Sequence, residues 1–272
     1  AYIGYGGSKK SLLALQACKK NVLQYENNCT GVYSNMEMGI YQFISRLMDM
    51  TFEVTNFEYN PSWYFEREYE KAFKSKNNEE KARVRKMIAS HFEEYYGQNL
   101  LISNKSGMTI DDYHKLIEKA KVKGGRVDMM VIDGLSMMSG IGNETEQYTT
   151  NSKELKDLAK LHNIYIPLIC HLSKGAQRDT RDIRSFIRGS EKILDNVDFD
   201  IQLSLIVDEF KSTPNSKEYL SDKGYIKFYN KRGTGNTVNV IYSFDKSKLL
   251  ITETNEEPSF YDSQSKTTKN PF

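Results

Sequence analysis

Gly4-Tyr5-Gly6-Gly7-Ser8-Lys9-Lys10-Ser11 is the stretch on which the reading of the fold turns. Tyr2-Ile3 before it reads as a short strand, and Ser11-Leu12-Leu13-Ala14-Leu15-Gln16-Ala17-Cys18 opens an apolar helix. A phosphate loop has glycine, four residues, glycine, lysine, then serine or threonine. Its amides cradle phosphate, the lysine reaches the β- and γ-phosphates, and the hydroxyl contacts magnesium. Gly4, Lys10 and Ser11 match that pattern, with Gly7, Ser8 and Lys9 as the rest of the candidate cradle. Lys9 stands where the pattern has its second glycine, a position where a side chain can crowd the nucleotide. A flexible glycine-rich segment is the competing reading of this stretch alone. The strand–loop–helix setting favours the phosphate loop, because a helix N-terminus attracts anions.

Outward from the loop, Val127-Asp128-Met129-Met130-Val131-Ile132-Asp133 reads as an apolar strand closing on a carboxylate. Such an aspartate holds magnesium directly or through water; alone, it is as readily a turn residue. Glu37 sits at the tip of the run Gly31 to Glu37, where a carboxylate can polarise an attacking water or simply cap the next helix. His171 closes the run Ile164 to Cys170 and is placed to report on a γ-phosphate. His91, His114 and His162 lie in charged helical stretches and read as surface residues, and no Cys/His group has metal-ligand spacing.

Helices are expected over 40–50, roughly 64–96, 111–121 and 152–162. Further strands are expected at 201–207, 225–229 and 238–242, the last two as a hairpin about Gly233-Thr234-Gly235-Asn236. This alternation predicts an α/β fold with a mostly parallel central sheet, helices on both faces and a C-terminal β-hairpin. A single domain over 1–253 with a loose tail at 254–272 is the economical division.

Composition sets limits on partners. In 272 residues, Lys and Arg exceed Asp and Glu by only two, 38 against 36, so wholesale coating of nucleic acid is excluded and any contact needs a local patch. Lys174, Arg178, Arg181, Arg184, Arg188 and Lys192 against Asp179, Asp182 and Glu191 form one, with a local excess of three positive charges. These cations suit backbone phosphates, with little preference among bases; an internally neutralised helix start or a subunit contact is the alternative. Lys231-Arg232-Gly233 lies at a strand end beyond the phosphate-binding elements. Arg232 there suits a finger supplied to a neighbouring subunit, or an ordinary basic turn. Cys18, Cys29 and Cys170 are odd in number and unpaired in spacing, so a reducing compartment is expected. No run of about 18 apolar residues is present, which excludes a helical membrane span. The glycine loop so near Ala1 reads as the start of a trimmed fragment.

At these residues the chain resembles the RecA-like motor domain of the DnaB-type replicative helicases, most nearly the phage T7 helicase-primase branch, in order over about residues 1–245. Val32-Tyr33-Ser34-Asn35-Met36-Glu37-Met38 is similar to the family's strand ending in a serine-leucine-glutamate-methionine tag. Met130-Val131-Ile132-Asp133 is similar to its Walker B strand, and Leu155 to Ile164 to the helix before its sensor strand. Ile169-Cys170-His171-Leu172 resembles the sensor motif, with the histidine of the T7 branch. Ile187-Arg188-Gly189-Ser190 with Asp198 resembles the element after the DNA-binding loop, and Tyr229-Asn230-Lys231-Arg232-Gly233-Thr234-Gly235 the finger motif.

The resemblance implies an NTP-hydrolysing DNA helicase: a P-loop ATPase that forms a hexameric ring and translocates 5′ to 3′ on single-stranded DNA. It implies ATP or another NTP with Mg2+, held by Gly4, Gly7, Ser8, Lys9, Lys10, Ser11 and Lys231, with Ser11 and Asp133 toward the metal. Catalytic roles fall to Lys10, to Glu37 as base, to His171 as sensor and to Arg232 as finger. Lys174, Arg178, Arg181, Arg184 and Arg188 face DNA. A primase or polymerase partner and the cytoplasm of a bacterial or phage-infected cell follow in the same way. Two departures stand: Lys9 replaces the loop glycine, and Asn230 holds the place of the first finger lysine, with Lys231 adjacent. Two other readings use the same residues. One is a RecA-like recombinase or helicase accessory protein that binds ATP and DNA without unwinding; the other is a degenerate module that loads or braces a partner.

Overall fold

Apolar runs too short to bury themselves alternate with amphipathic helices, and the chain solves this by stacking helices on an open sheet. The computed structural model describes residues 1–4, 9–24, 30–52, 64–75, 77–172, 187, 191–207, 219–230, 237–245 and 250–254. Tyr2–Gly4 forms strand β1 and Lys10–Gln24 helix α1. Strand β2 (Thr30–Asn35) is followed by helices α2 (Ile40–Phe52), α3 (Tyr64–Lys74) and α4 (Asn78–Tyr96), then strand β3 (Leu100–Ser103). Helix α5 (Ile110–Gly124), strand β4 (Val127–Asp133), helix α6 (Glu144–His162) and strand β5 (Leu168–His171) complete the alternating part. Strands β6 (Phe199–Val207), β7 (Tyr219–Asn230), β8 (Thr237–Asp245) and β9 (Leu250–Glu253) follow.

Among the described residues these strands form one sheet in the order β3-β2-β4-β5-β1-β6-β7-β8-β9. Pairing from β3 through β6 is parallel, and β6, β7, β8 and β9 pair antiparallel in turn. The expected mostly parallel sheet holds in part: β3 through β6 pair parallel, and the last strands add an antiparallel meander to that half. A meander needs no crossover helix, and among the described residues after 199 there is none. Tyr225–Tyr229 does pair with Thr237–Ile241, while the expected turn, Gly233 to Asn236, lies outside the described residues.

The parallel strands are buried on both faces and their side chains divide by parity. Met129 and Val131 enter the core shared with α1 to α4; Met130 and Ile132 enter the core shared with α5 and α6. The chain runs from β1 through β2 to β3 with α1 to α4 on one face and returns through β4 and β5 with α5 and α6 on the other, so β1 sits between β5 and β6 with the carboxyl ends of β1, β2, β4 and β5 on a common edge. Register confirms the alignment: Gly4 pairs with His171, and Asn35 with Asp133.

Other differences have local causes. The helix expected over 64–96 is two, because Asn77 ends the run and accepts from the amides of Glu79 and Glu80 as the cap of α4. Helix α6 begins at Glu144 rather than 152, started by an Asn143–Glu146 capping box. The strand expected from Ile164 is shorter, since Tyr165 makes only a single bridge to Met129 before β5 begins. His162 and His114 are not surface groups. Their rings meet between α5 and α6 at 2.8 Å, Nε2 of His162 to Nδ1 of His114, while Lys121 Nζ lies 2.8 Å from His162 Nδ1. The lysine can only donate, so His162 carries its proton on Nε2 and donates it to His114.

Candidate active site

Four strand ends supply the site. Lys10 opens α1 directly after the loop; it is 5% exposed, and its Nζ donates to the Gly4 carbonyl at 2.7 Å. Burial lowers its pKa to about 8, against the opposing fields of Glu37 and Asp133. Ser11 Oγ, one residue on, donates to Asp133 Oδ1 at 3.1 Å. Asp133 is fully buried and its other oxygen accepts from the Tyr33 hydroxyl at 3.1 Å. Burial and the nearby Glu37 push its pKa up to about 6, with the two hydroxyl donors opposing them. The Tyr33 phenol is raised well above its ordinary value by burial and by Asp133, so it stays a donor.

The end of β4 also shapes the neighbouring turn. Met36 N donates to the Asp133 carbonyl at 3.2 Å. Gly134 follows in a left-handed conformation, φ +116°, and a Cβ there would sit 3.2 Å from Met36 Cβ. Glycine is needed at this point for both reasons. Glu37 projects from that turn and meets His171 Nε2 at 2.5 Å, each side chain about one-third exposed. The hydrogen bond from His171 holds the Glu37 carboxyl below its ordinary pKa despite partial burial. Cys170, just before His171, is buried and its thiol is raised to about 11, chiefly by desolvation; it is an inert core group.

Lys9 explains how the chain tolerates the missing glycine. Its φ is +67°, the left-handed conformation that glycine adopts without cost. Its Nζ lies over the Phe244 ring on β8, 4.6 Å from the centroid. A comparison of Lys9→Gly with Lys9→Ala isolates the two effects. Both lose the cation–π contact, but alanine keeps the strained φ, so Lys9→Gly should be the more stable of the two by about 1 kcal/mol. Urea unfolding midpoints measure the difference; equal midpoints would mean the left-handed backbone carries no cost here.

Mg2+ takes hard oxygen ligands, typically one or two from protein with the rest from phosphate and water. The Ser11 hydroxyl and Asp133 carboxylate, already in contact, supply that donor set, so the residues present fit the ion. Of the candidate residues, Gly4, Lys9, Lys10, Ser11, Glu37, Asp133 and His171 converge on this edge. Gly7, Ser8, Lys231, Arg232, Lys174, Arg178, Arg181, Arg184 and Arg188 lie outside the described residues, although Ile187 among them is buried and bridges to Leu172 beside the end of β5. A separate cleft at the opposite sheet edge, lined by Leu155, Lys156, Val197 and Phe199 among others, gathers none of the candidates. Sequence reading missed Tyr33 and the role of Gly134: a tyrosine within an apolar run looks like core, and nothing local marks its hydroxyl as the partner of a carboxylate 100 residues away.

Among curated proteins no significant sequence match is found. The family model for the DnaB-like helicase C-terminal domain matches residues 4–250. That span runs from the last residue of β1 to the first of β9 and takes in the glycine loop, Glu37, Asp133 and His171, so the edge on which these groups converge is that of the DnaB-like helicase C-terminal domain family, to which this chain belongs.

Proposed function

We propose that the chain is the NTP-hydrolysing motor of a replicative DNA helicase, which translocates 5′ to 3′ on single-stranded DNA as a homo-oligomeric, hexameric ring. The observation that carries this reading is the pairing of Ser11 with Asp133 and of Glu37 with His171 on one sheet edge, from positions 122 and 134 residues apart. The closeness of Ser11, Asp133, Glu37 and His171 there supports assigning them the metal, base and sensor roles that phosphoryl transfer to water requires.

In this reading Lys10 releases the Gly4 carbonyl and takes up the β- and γ-phosphates of ATP or another NTP, with Gly4, Gly7, Ser8 and Lys9 lining the cradle. Mg2+, held by Ser11 and Asp133, would neutralise charge on the phosphates. Glu37 accepts a proton from water as its oxygen attacks the γ-phosphorus; the bond to the β-phosphate bridging oxygen breaks, leaving NDP and inorganic phosphate. His171, already on Glu37, reports the state of the γ-phosphate by moving its Nε2 hydrogen bond from carboxylate to phosphate. Arg232, with Lys231 beside it, completes the site of the next subunit, and Lys174, Arg178, Arg181, Arg184 and Arg188 track the DNA backbone. A primase or polymerase is the expected replisome partner, in the cytoplasm of a bacterial or phage-infected cell. Among the described residues no helix is long and apolar enough to cross a membrane.

Steady-state ATP hydrolysis with and without single-stranded DNA tests the reading. Turnover should rise with DNA, and Arg232→Ala subunits mixed into wild type should depress it more than in proportion to their share. Binding of ATP and DNA without DNA-stimulated turnover would replace the motor by the recombinase-like or accessory reading.

A further inference from the structure

Glu37 stands at the apex of a turn, and a flexible turn is a poor place for a catalytic base. The side chain of Asn35 removes that freedom. Its Nδ2 donates to the Met38 carbonyl at 2.7 Å, and its Oδ1 accepts from the Met38 amide at 3.3 Å. One amide thus meets both polar main-chain groups of the residue three positions on, closing the turn as a backbone pair would. Asn35 itself is fully buried and paired in register with Asp133, and the next amide, Met36 N, is held by the Asp133 carbonyl. A second asparagine reaches in from the segment after β3. Asn35 Nδ2 also donates to the Asn104 side-chain oxygen at 2.6 Å. The turn is fastened to both strands that flank β2.

We propose that Asn35, braced by Asn104, is the positioning residue that aims the Glu37 carboxylate. The inference rests on the reading of Glu37 as general base. A base must come within about 3 Å of the proton it takes, and a displacement of about 1 Å can cost on the order of 10²-fold in rate. Among the described residues, the side-chain hydrogen bonds of Asn35 go to Met38 and Asn104, not to a candidate phosphate or metal ligand, so their action runs through the main chain of residues 35–38. A serine hydroxyl can meet the Met38 main chain but is shorter, so it keeps part of the tie and loses the reach to Asn104.

The test measures DNA-stimulated ATP hydrolysis and fluorescent ATP binding on the full chain, beside thermal melts. Asn35→Ala should lower kcat about tenfold or more with KM and ATP affinity within twofold. Asn104→Ala should do the same to a smaller degree, and Asn35→Ser should recover part of the loss. A folded Asn35→Ala variant with wild-type kcat overturns the inference, as does a loss of kcat and ATP affinity together in proportion to lost folded protein. If Asn35→Ala does not fold, Asn104→Ala and Asn35→Ser decide alone: reduced kcat at unchanged KM supports the role, and wild-type kcat in both overturns it. Glu37→Gln run in parallel separates the two levels. If it retains wild-type turnover, the base assignment falls and the positioning role with it; if it is inactive while the asparagine variants are not, only the positioning role falls.

Discussion

Glu37→Gln should lower ATP hydrolysis by roughly 10²–10⁴ while leaving ATP affinity within a few-fold of wild type. The substitution is close to isosteric, and a glutamine amide can still meet His171 across the 2.5 Å contact, so the turn and the sheet edge keep their shape. What disappears is the ability to take a proton. The Glu37 carboxyl is held below its ordinary pKa by the His171 hydrogen bond, so it is ionised throughout the neutral range and is a weak base while that bond lasts. In the proposed mechanism, a γ-phosphate that draws the His171 N–H to itself would restore that basicity when water is in place. The same geometry predicts that the residual activity of Glu37→Gln no longer depends on His171, since the histidine then has no carboxylate to release. Phosphate release and fluorescent nucleotide binding on the same samples measure the two halves. Turnover within threefold of wild type would remove Glu37 from the chemistry.

What the sequence made legible is what local chemistry determines. Gly4 to Ser11 is readable because the strand, the glycines and the Lys-Ser pair are contiguous; Val127 to Asp133 is readable because Met129 to Ile132, buried on both faces, are apolar at every position, and the carboxylate that closes the run then stands out. Strand β3 was not readable. Four residues, Leu100 to Ser103, follow α4 after only a short link, and they become a strand because β2 offers an edge in register. Strand β9 depends in the same way on β8, and on Gln16 of α1, whose side chain both donates to the Ile251 carbonyl and accepts from its amide. Within the site, residue types were legible but their meetings were not. The left-handed φ of Lys9, the hydroxyl of Tyr33 on Asp133 and the His171–Glu37 contact each join positions that no spacing rule connects. His114 and His162 mislead for the mirror-image reason: charged neighbours suggest solvent, yet the two rings meet between α5 and α6 and Lys121 Nζ reaches His162 Nδ1.

Lys10→Ala should weaken ATP binding on the order of 100-fold, and the wild-type protein should itself bind ATP progressively less well above about pH 8. The ammonium makes charge-assisted hydrogen bonds to phosphate, each worth about 1.5–3 kcal/mol, and two such bonds correspond to two decades or more in affinity. Removing it also leaves the Gly4 carbonyl without the donor now at 2.7 Å, a cost of about 1–3 kcal/mol if nothing replaces it. The variant should therefore melt below wild type as well as bind poorly. The pH dependence separates the charge from the packing. Burial has already brought the Lys10 pKa to about 8, so below that value the free protein carries the ammonium and above it the neutral amine prevails. Bound phosphates stabilise the ammonium, so binding above pH 8 takes up a proton and the dissociation constant rises with pH, approaching tenfold per unit. Lys10→Ala lacks the titrating group, so its weaker affinity should stay flat over the same interval. Fluorescent ATP titrations from pH 7 to 9.5 on both proteins distinguish these outcomes. A parallel rise in the two would assign the pH effect elsewhere, and a wild-type affinity constant to pH 9.5 would mean that Lys10 keeps its proton in the free protein through a stronger field from Glu37 and Asp133 than its burial allows.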